Sequence, residues 1–412
     1  MTKVEKRGPH TTLLNRFRRR KENMALYDEF KTHLTDKLIP FWKALKDDEF
    51  GGFYGYMDFD LNVLRDAEKG CILNSRILWF FSNSYMTLKD ESLRPYAEHA
   101  YRFLKDKCLD KKNGGVFWSL DYKGDPFDTT KHTYNQAFAI YALSSYYDAF
   151  KDPEALKLAC DLFRLIEIKC KDEYGYKEAQ SMEFYAIAND KLSENGVLAD
   201  RTMNTLLHVF EAYTEFYRVS RRAEVAERLR SILDTIGTRV YNPEKRRQEV
   251  FFDNDMNSLI DLHSYGHDIE TAWLIDRGTC VLGDESYKKL MAPIVSALED
   301  NILSLAYDRH SLKNECENGV VNEWRIWWVQ AEAVLGFYNA YQKRGDEKFK
   351  DAALDIWDFI KTKLTDHRPG GEWFWRLNKD GEPDREKPEV EQWKCPYHNG
   401  RLCIEMMKRT NS

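Results

Sequence analysis

The chain has 412 residues, 43% of them hydrophobic and 14% aromatic, with a net charge of −6. This acidic balance gives no electrostatic basis for binding nucleic acid, and no apolar run reaches the roughly 20 residues that cross a bilayer. What is expected is a soluble protein with a large core and a ligand other than a polyanion.

Residues 3–22 carry eight lysines and arginines without the apolar stretch of a signal peptide. Residues 1–23 are therefore expected to be a disordered basic extension, and 24–412 a single catalytic domain. Helix-period apolar segments then follow at 24–45, 71–87, 92–107, 132–150, 153–170, 203–220, 222–238, 268–283, 286–304, 327–344, 347–364 and 398–409. Within pairs, short links carry an acidic N-cap signal. Asp90 and Asp152 stand 62 apart, as do Asp284 and Asp346, with room for a further link near Ser220. Longer connections contain glycine followed by aromatics (51–56, 114–118 and 370–375) and are expected to be small hairpins. Segments such as Ile77–Phe81 and Ala137–Tyr141 are apolar nearly all round, whereas 155–170 is one-sided. Six pairs of constant period form either an open solenoid or a closed ring. An unpaired first helix and an unpaired last helix fit closure, so the expected fold is all-α: a closed (α/α)6 barrel of twelve helices with short β-hairpins in its long loops.

In such a barrel the N-terminal ends of the inner helices meet at one mouth, where unpaired amides favour negative charge. Unusual polar residues fall there: Arg76; Tyr134 and Gln136; Asn204 and His208; His267 and Glu270; Trp328 and Glu332; His398 and Arg401. Capping accounts for some of them, but three histidines and two arginines on apolar helices are costly to bury without a purpose. His267 and Glu270 stand three apart after Gly266, which is expected to break the preceding strand-like run. The spacing puts both side chains on one helical face, where the carboxylate raises the imidazole pKa and fixes its tautomer for proton transfer. A core histidine beside an acid satisfies the same pattern. His132 and His263 border the mouth, while His10, His33, His99, His310 and His367 sit among charges and are expected at the surface. No histidine spacing suggests zinc, no acidic cluster suggests calcium, and no Gly-x-Gly-x-x-Gly follows a strand, so neither a metal nor a cofactor is expected. Trp328 and Trp393 flank mouth residues and are suited to stacking on sugar C–H faces. The eight cysteines form no Cys-x-x-Cys pair, which is the usage of a reducing cytoplasm.

Five motifs in order carry a resemblance over roughly residues 25–410: Cys71–Trp79, Met203–His208, Ser264–Glu270, Trp327–Glu332 and Gln392–Arg401. In these the chain resembles the N-acylglucosamine 2-epimerase superfamily, and within it the cellobiose 2-epimerases. The resemblance implies reversible epimerisation at C2 of the reducing-end sugar of β-1,4-linked disaccharides on an (α/α)6 barrel. It further implies His267 and His398 as acid/base residues with Glu270 beside His267, and Arg76 and His208 at the sugar oxygens. Tyr134, Asn204, Trp273, Trp328, Glu332, Trp393 and Arg401 are the implied substrate-binding residues. One departure is that Leu206 stands where the family often has a histidine. The residues also leave room for a glycoside hydrolase using Glu270, Glu332 or Glu323, or for a non-catalytic sugar-binding protein. The loop 178–200 shows no helical period and is expected to act as a lid. The oligomeric state and the preferred disaccharide stay open.

Overall fold

The computed structural model describes residues 9–189, 191, 196–308 and 310–411, with side chains from residue 20 onward. In chain order the main helices are α1 (Pro9–His33, continued through a π turn and Ile39–Ala44), α2 (Cys71–Leu88), α3 (Arg94–Phe103), α4 (Thr133–Phe150), α5 (Pro153–Leu165), α6 (Met203–Ser220), α7 (Ala223–Thr235), α8 (Tyr265–Leu282), α9 (Glu285–Leu305), α10 (Trp327–Arg344), α11 (Glu347–Phe359) and α12 (His398–Thr410). The even-numbered helices are buried nearly all round. Each touches the next, and α12 touches α2. The odd-numbered helices pack outside them, α3 on α2, α5 on α4 and so on, with α1 on α12. The outer helices are amphipathic: α5 buries Ala155, Ala159, Leu162 and Phe163 and turns the Lys157–Asp161 pair outward.

The repeat seen in the sequence has a local cause. Five inner helices end on a left-handed residue, Lys89, Lys151, Arg221, Gly283 and Gly345. That conformation satisfies a trailing carbonyl and reverses the chain. Three of the outer helices then start on an aspartate, 152, 284 or 346, and Asp90 caps the 3-10 turn Glu91–Leu93 that leads into α3; each carboxylate accepts a backbone N–H two residues on. Near Ser220 the link exists, but Arg222 offers no side-chain cap. A feature not legible in the sequence is a five-residue π turn in five outer elements, at Leu34–Leu38, Leu104–Cys108, Ile166–Cys170, Ile236–Val240 and Ile360–Leu364.

The long connections do more than form hairpins. The short strand entering each of five inner helices pairs with a strand of the following repeat: 69–70 with 119–120, 131–132 with 179–180, 201–202 with 251–252, 262–264 with 315–317, and 325–326 with 376–377. Met57 pairs with Val390, joining the first connection to the last. These strands rim the mouth. Buried cations lock several of them: Lys69 on Asp47 at 2.5 Å, Lys131 on Asp110 at 3.0 Å and Arg201 on Asp172 at 2.7 Å. Unpairing one partner would leave an uncompensated buried charge.

Three expectations change. The first helix begins at Pro9 rather than at residue 24, so the stretch 9–23 is helical; residues 1–8 lie outside the described residues. His33 is half-buried and accepts a 2.7 Å hydrogen bond from the Trp373 indole, and His99 bonds the Gly52 carbonyl at 2.9 Å, so both pack rather than sit among surface charges. Gly266 breaks nothing, because α8 starts one residue earlier at Tyr265. Its lack of a side chain serves close packing: a Cβ there would sit 2.6 Å from the Trp328 ring and 2.7 Å from Val329. Gly266→Ala is expected to destabilise the fold by about 1–3 kcal/mol through this overpacking, read as a lower midpoint in denaturant unfolding. An unchanged midpoint would show that Trp328 shifts freely.

Candidate active site

The helix starts bring Arg76, Tyr134, Asn204, His208, His267, Glu270, Trp328, Trp393 and His398 around one cavity. Lys191, Thr202, Ser264, Asn314, Glu315, Trp327 and Trp375 also line it, with the apolar Val250, Phe251, Leu262 and Ile326. Trp328 packs against both histidines expected to carry protons. Its indole is 4.7 Å from the His267 ring and 5.5 Å from the His398 ring, centroid to centroid. The imidazoles are therefore no farther apart than the sum of those distances, and both border one space. Trp393 also lines the cavity, edge-on to Trp118 at 5.6 Å and to Tyr134 at 5.8 Å.

Glu332 and Arg401 do not line the cavity. They form its support, fully buried. Arg401 donates through Nη2 to Oε1 of Glu270 and, at 2.7 Å, to Oε1 of Glu332, and through Nη1 to Glu211 and the Tyr397 hydroxyl. Charge-assisted bonds of this kind are what make three buried carboxylates tolerable. Trp273 is also behind the site: its indole N–H donates to Glu332 Oε2 at 2.9 Å, so it anchors Glu332 and is out of reach of a ligand. Glu270, Glu332 and His398 bring potential ligand atoms within 4.8 Å of one another, the spacing of a metal group. The Arg401 guanidinium already bonds the shared oxygens, and so takes the place such an ion would fill.

The expected His267–Glu270 couple is not formed. Glu270 turns inward to Arg401, because a fully buried carboxylate is drawn to a buried guanidinium within reach. His267 bonds Ser264 instead, Nδ1 to Oγ at 2.7 Å. The same three-residue spacing is satisfied elsewhere: His208 Nδ1 and Glu211 Oε2 are 2.9 Å apart on α6. Glu211 went unnoticed in the sequence, although His208-x-x-Glu211 repeats the pattern singled out at 267–270. His398 donates from Nδ1 to Glu332 Oε1 at 2.7 Å, since both oxygens of that carboxylate already accept from Arg401 or Trp273. This leaves Nε2 as the unprotonated ring nitrogen.

Burial sets the protonation states. Desolvation, with His208 nearby, pushes His267 down to about 3, and desolvation, with Arg401 and Arg76, holds His398 well below its usual value. His208 is lowered by burial as well. All three are neutral bases near pH 7. Glu211 is held far below the usual carboxylate range, against burial, by Arg401 and His208. Glu270 is raised by burial and by the Glu332 carboxylate. Its Oε2 and the Asn204 Oδ1 make no hydrogen bond within the protein, although both residues face the cavity.

The bordering histidines are structural. His132 caps α4, accepting from Tyr134 N–H at 3.3 Å, and His263 bonds Asp268 at 2.8 Å. Glu178, at the start of the loop expected as a lid, is buried, is pushed up to about 8 by desolvation, and accepts from Thr202 and Thr205 at the start of α6. Residues 190 and 192–195 of that loop lie outside the described residues. Leu206 is buried against the core, and Glu323 is exposed off the cavity.

A family model for N-acylglucosamine 2-epimerase (GlcNAc 2-epimerase) matches residues 52–399. A cellobiose 2-epimerase of Ruminococcus albus is 50% identical over 384 residues, covering 93% of this chain and 99% of that protein. One from Dictyoglomus turgidum is 44% identical over 93% of this chain and 99% of its own length. The solved structure of a cellobiose 2-epimerase from Bacillus thermoamylovorans superposes with a TM-score of 0.90 at 45% identity, covering 93% of this chain and 99% of that one.

The depressed histidines make a pH prediction. A base with a lowered pKa is lost only when the pH falls through that lower value, so kcat/KM is expected to stay flat from about pH 7 down through 6.5, where an ordinary histidine titrates. An acid limb with its inflection at 6.5 would mean that the bases titrate as exposed histidines. Stability is expected to respond sooner: these groups bind a proton in the unfolded chain below about 6.5 but not in the folded one, so their contribution falls as pH drops below that value.

Proposed function

The chain belongs to the N-acylglucosamine 2-epimerase family, and from that premise we propose that it is an isomerase of the cellobiose 2-epimerase type. It inverts C2 of the reducing-end sugar in β-1,4-linked disaccharides, cellobiose to glucosyl-mannose. The observation that carries the proposal is the pair of neutral histidines, His267 and His398, both packed against Trp328 and bordering one cavity. Inversion by proton transfer needs two such bases.

The pyranose C2–H is not acidic until ring opening makes C1 an aldehyde and C2 its α carbon. One histidine then removes the C2 proton, giving a planar cis-enediolate, and the other returns a proton to the opposite face. The hydrogen bond of His398 to Glu332 supports Nε2 as its working nitrogen, and Ser264 steadies His267. Arg76 borders the cavity and offers cationic N–H groups to the oxygen that gains charge. Trp328 and Trp393 are suited to the sugar faces, and Asn204 Oδ1 and Glu270 Oε2 to hydroxyls, since neither atom has a protein partner. Glu332, Arg401 and Trp273 act at one remove by fixing His398 and Glu270. Hydrolysis is a poorer reading: its two carboxylates would have to flank the scissile bond, whereas Glu270 and Glu332 accept from the same Arg401 nitrogen.

The ring of inner helices from α2 round to α12 supports a closed (α/α)6 barrel forming one catalytic domain. Among the described residues no helix is long and apolar enough to cross a membrane. The eight cysteines are all free, which supports a reducing cytoplasm.

Two experiments test the chemistry. During turnover in deuterated water the epimer should carry deuterium at C2 after a single conversion, because the residue that delivers the proton is not the one that took the substrate's. An epimer that kept its original C2 hydrogen in the NMR spectrum would rule the two-histidine route out. His267→Asn and His398→Asn should each lower turnover by about 10²-fold or more with the fold intact, while His367→Asn should change it little; near-normal turnover in either cavity variant removes that residue from the acid/base role.

A further inference from the structure

The proton inventory of the cavity exceeds what inversion at C2 requires. A third imidazole, His208, borders it, and its hydrogen bonds settle which nitrogen it presents. Glu211 sits behind it, buried, and accepts from the Tyr397 hydroxyl and Arg401 Nη1 as well as facing His208 Nδ1 at 2.9 Å. Such a carboxylate is ionised and can only accept, so Nδ1 carries the hydrogen and Nε2 is a bare lone pair. That orientation is at odds with His208 as a hydrogen-bond donor to a sugar oxygen and is the arrangement of a carboxylate-held base. Beside it stands Tyr134, with ring centroids 5.0 Å apart and planes at 84°. The Tyr134 oxygen accepts from Arg76 Nη2 at 2.8 Å, which leaves its own hydroxyl hydrogen to give. A base and an acid thus stand side by side on one wall, on α6 and α4, apart from His267 and His398 on α8 and α12.

We propose that this second pair, His208 as base and Tyr134 as acid, opens the sugar ring, with Glu211 as the positioning residue. The inference rests on the reading of the site as a sugar epimerase. His208 Nε2 takes the hydrogen of the anomeric O1–H as the C1=O1 double bond forms. The C1–O5 bond breaks, its electron pair stays on O5, and O5 takes the Tyr134 hydroxyl hydrogen. The resulting phenolate faces the Arg76 guanidinium and the imidazolium faces the Glu211 carboxylate, so each new charge has its counter-ion already hydrogen-bonded. Transfer of the proton from His208 back to Tyr134 through solvent restores both groups, and no oxidant, reductant or further reactant is consumed. Both oxygens involved belong to one carbon, which is why acid and base must be neighbours. Burial lowers His208 and raises Tyr134 to a level at which it keeps its proton near neutral pH, consistent with these starting states.

The test separates ring opening from C2 chemistry by measuring the exchange between the two cellobiose anomers with NMR exchange spectroscopy, alongside C2 deuterium uptake. The intact enzyme should accelerate anomer exchange above the solvent rate. His208→Asn should lower that acceleration by about 10²-fold. Tyr134→Phe should lower it as well, and Glu211→Gln should lower it and move the pH at which it is half lost, a change that a merely structural carboxylate would not produce. If His208→Asn fails to fold, Tyr134→Phe and Glu211→Gln decide by the same readout. Wild-type anomer exchange at the solvent rate, or variants that exchange anomers at the wild-type rate while losing C2 uptake, would overturn the inference and leave the epimerase reading standing. Absence of C2 uptake in the wild-type enzyme with every β-1,4 disaccharide would remove that reading instead.

Discussion

A single guanidinium governs this interior. Arg401, on the last helix, bonds carboxylates from three others: Glu211 on α6, Glu270 on α8 and Glu332 on α10. None of these acids could stay ionised alone in such a place, where removing a charge from water costs several kcal/mol even after relaxation. Around one cation they hold in turn the imidazoles of His208 and His398. The arrangement explains why buried charge lies behind the cavity while aromatic rings line it. It also explains why Glu270 ignores its neighbour on the helix: pairing with His267 would leave one acid fewer on Arg401 and a neutral ring where a cation is needed.

The scaffold delivers these groups by repetition. Five of the inner helices are each fed inward by a short strand, locked in several repeats by a buried Lys or Arg on an aspartate. The positive ends of the inner helices therefore point at one space and favour negative charge there. A helix start is both where such a ring of helices leaves side chains free and where an anion is welcome.

Much of this was legible in the residues. The constant spacing of the aspartate caps, the all-round apolar helices and the unpaired ends implied a ring, because they are local signals repeated with one period. The line-up of polar residues at helix starts gave the cavity its members. Depth was not legible. Glu332, Arg401 and Trp273 sit on the right helices but one layer behind the cavity, and a position on a helix does not say how far inward its side chain reaches. Pairing was not legible either: His267-x-x-Glu270 and His208-x-x-Glu211 are the same pattern, and only the location of Arg401 decides which one forms. The π turns escaped because one extra residue in a turn leaves the apolar period of an outer helix almost unchanged. Gly266 was misread as a breaker since a glycine required for Trp328 to approach looks, in sequence, like any other glycine.

The contact between α12 and both α1 and α2 has a consequence for how the protein is made. Helix pairs linked by tight left-handed turns are local and form early, whereas pairings between distant parts of a chain carry the loop-closure cost and form late. Here the distant pairings are those that bring the first connection to the last, such as Met57 with Val390, Trp42 with Glu372 and Arg76 with the Trp393 carbonyl. His398 and Arg401 arrive with them. Without the last helix in place, the three buried acids on α6, α8 and α10 have no Arg401 to share.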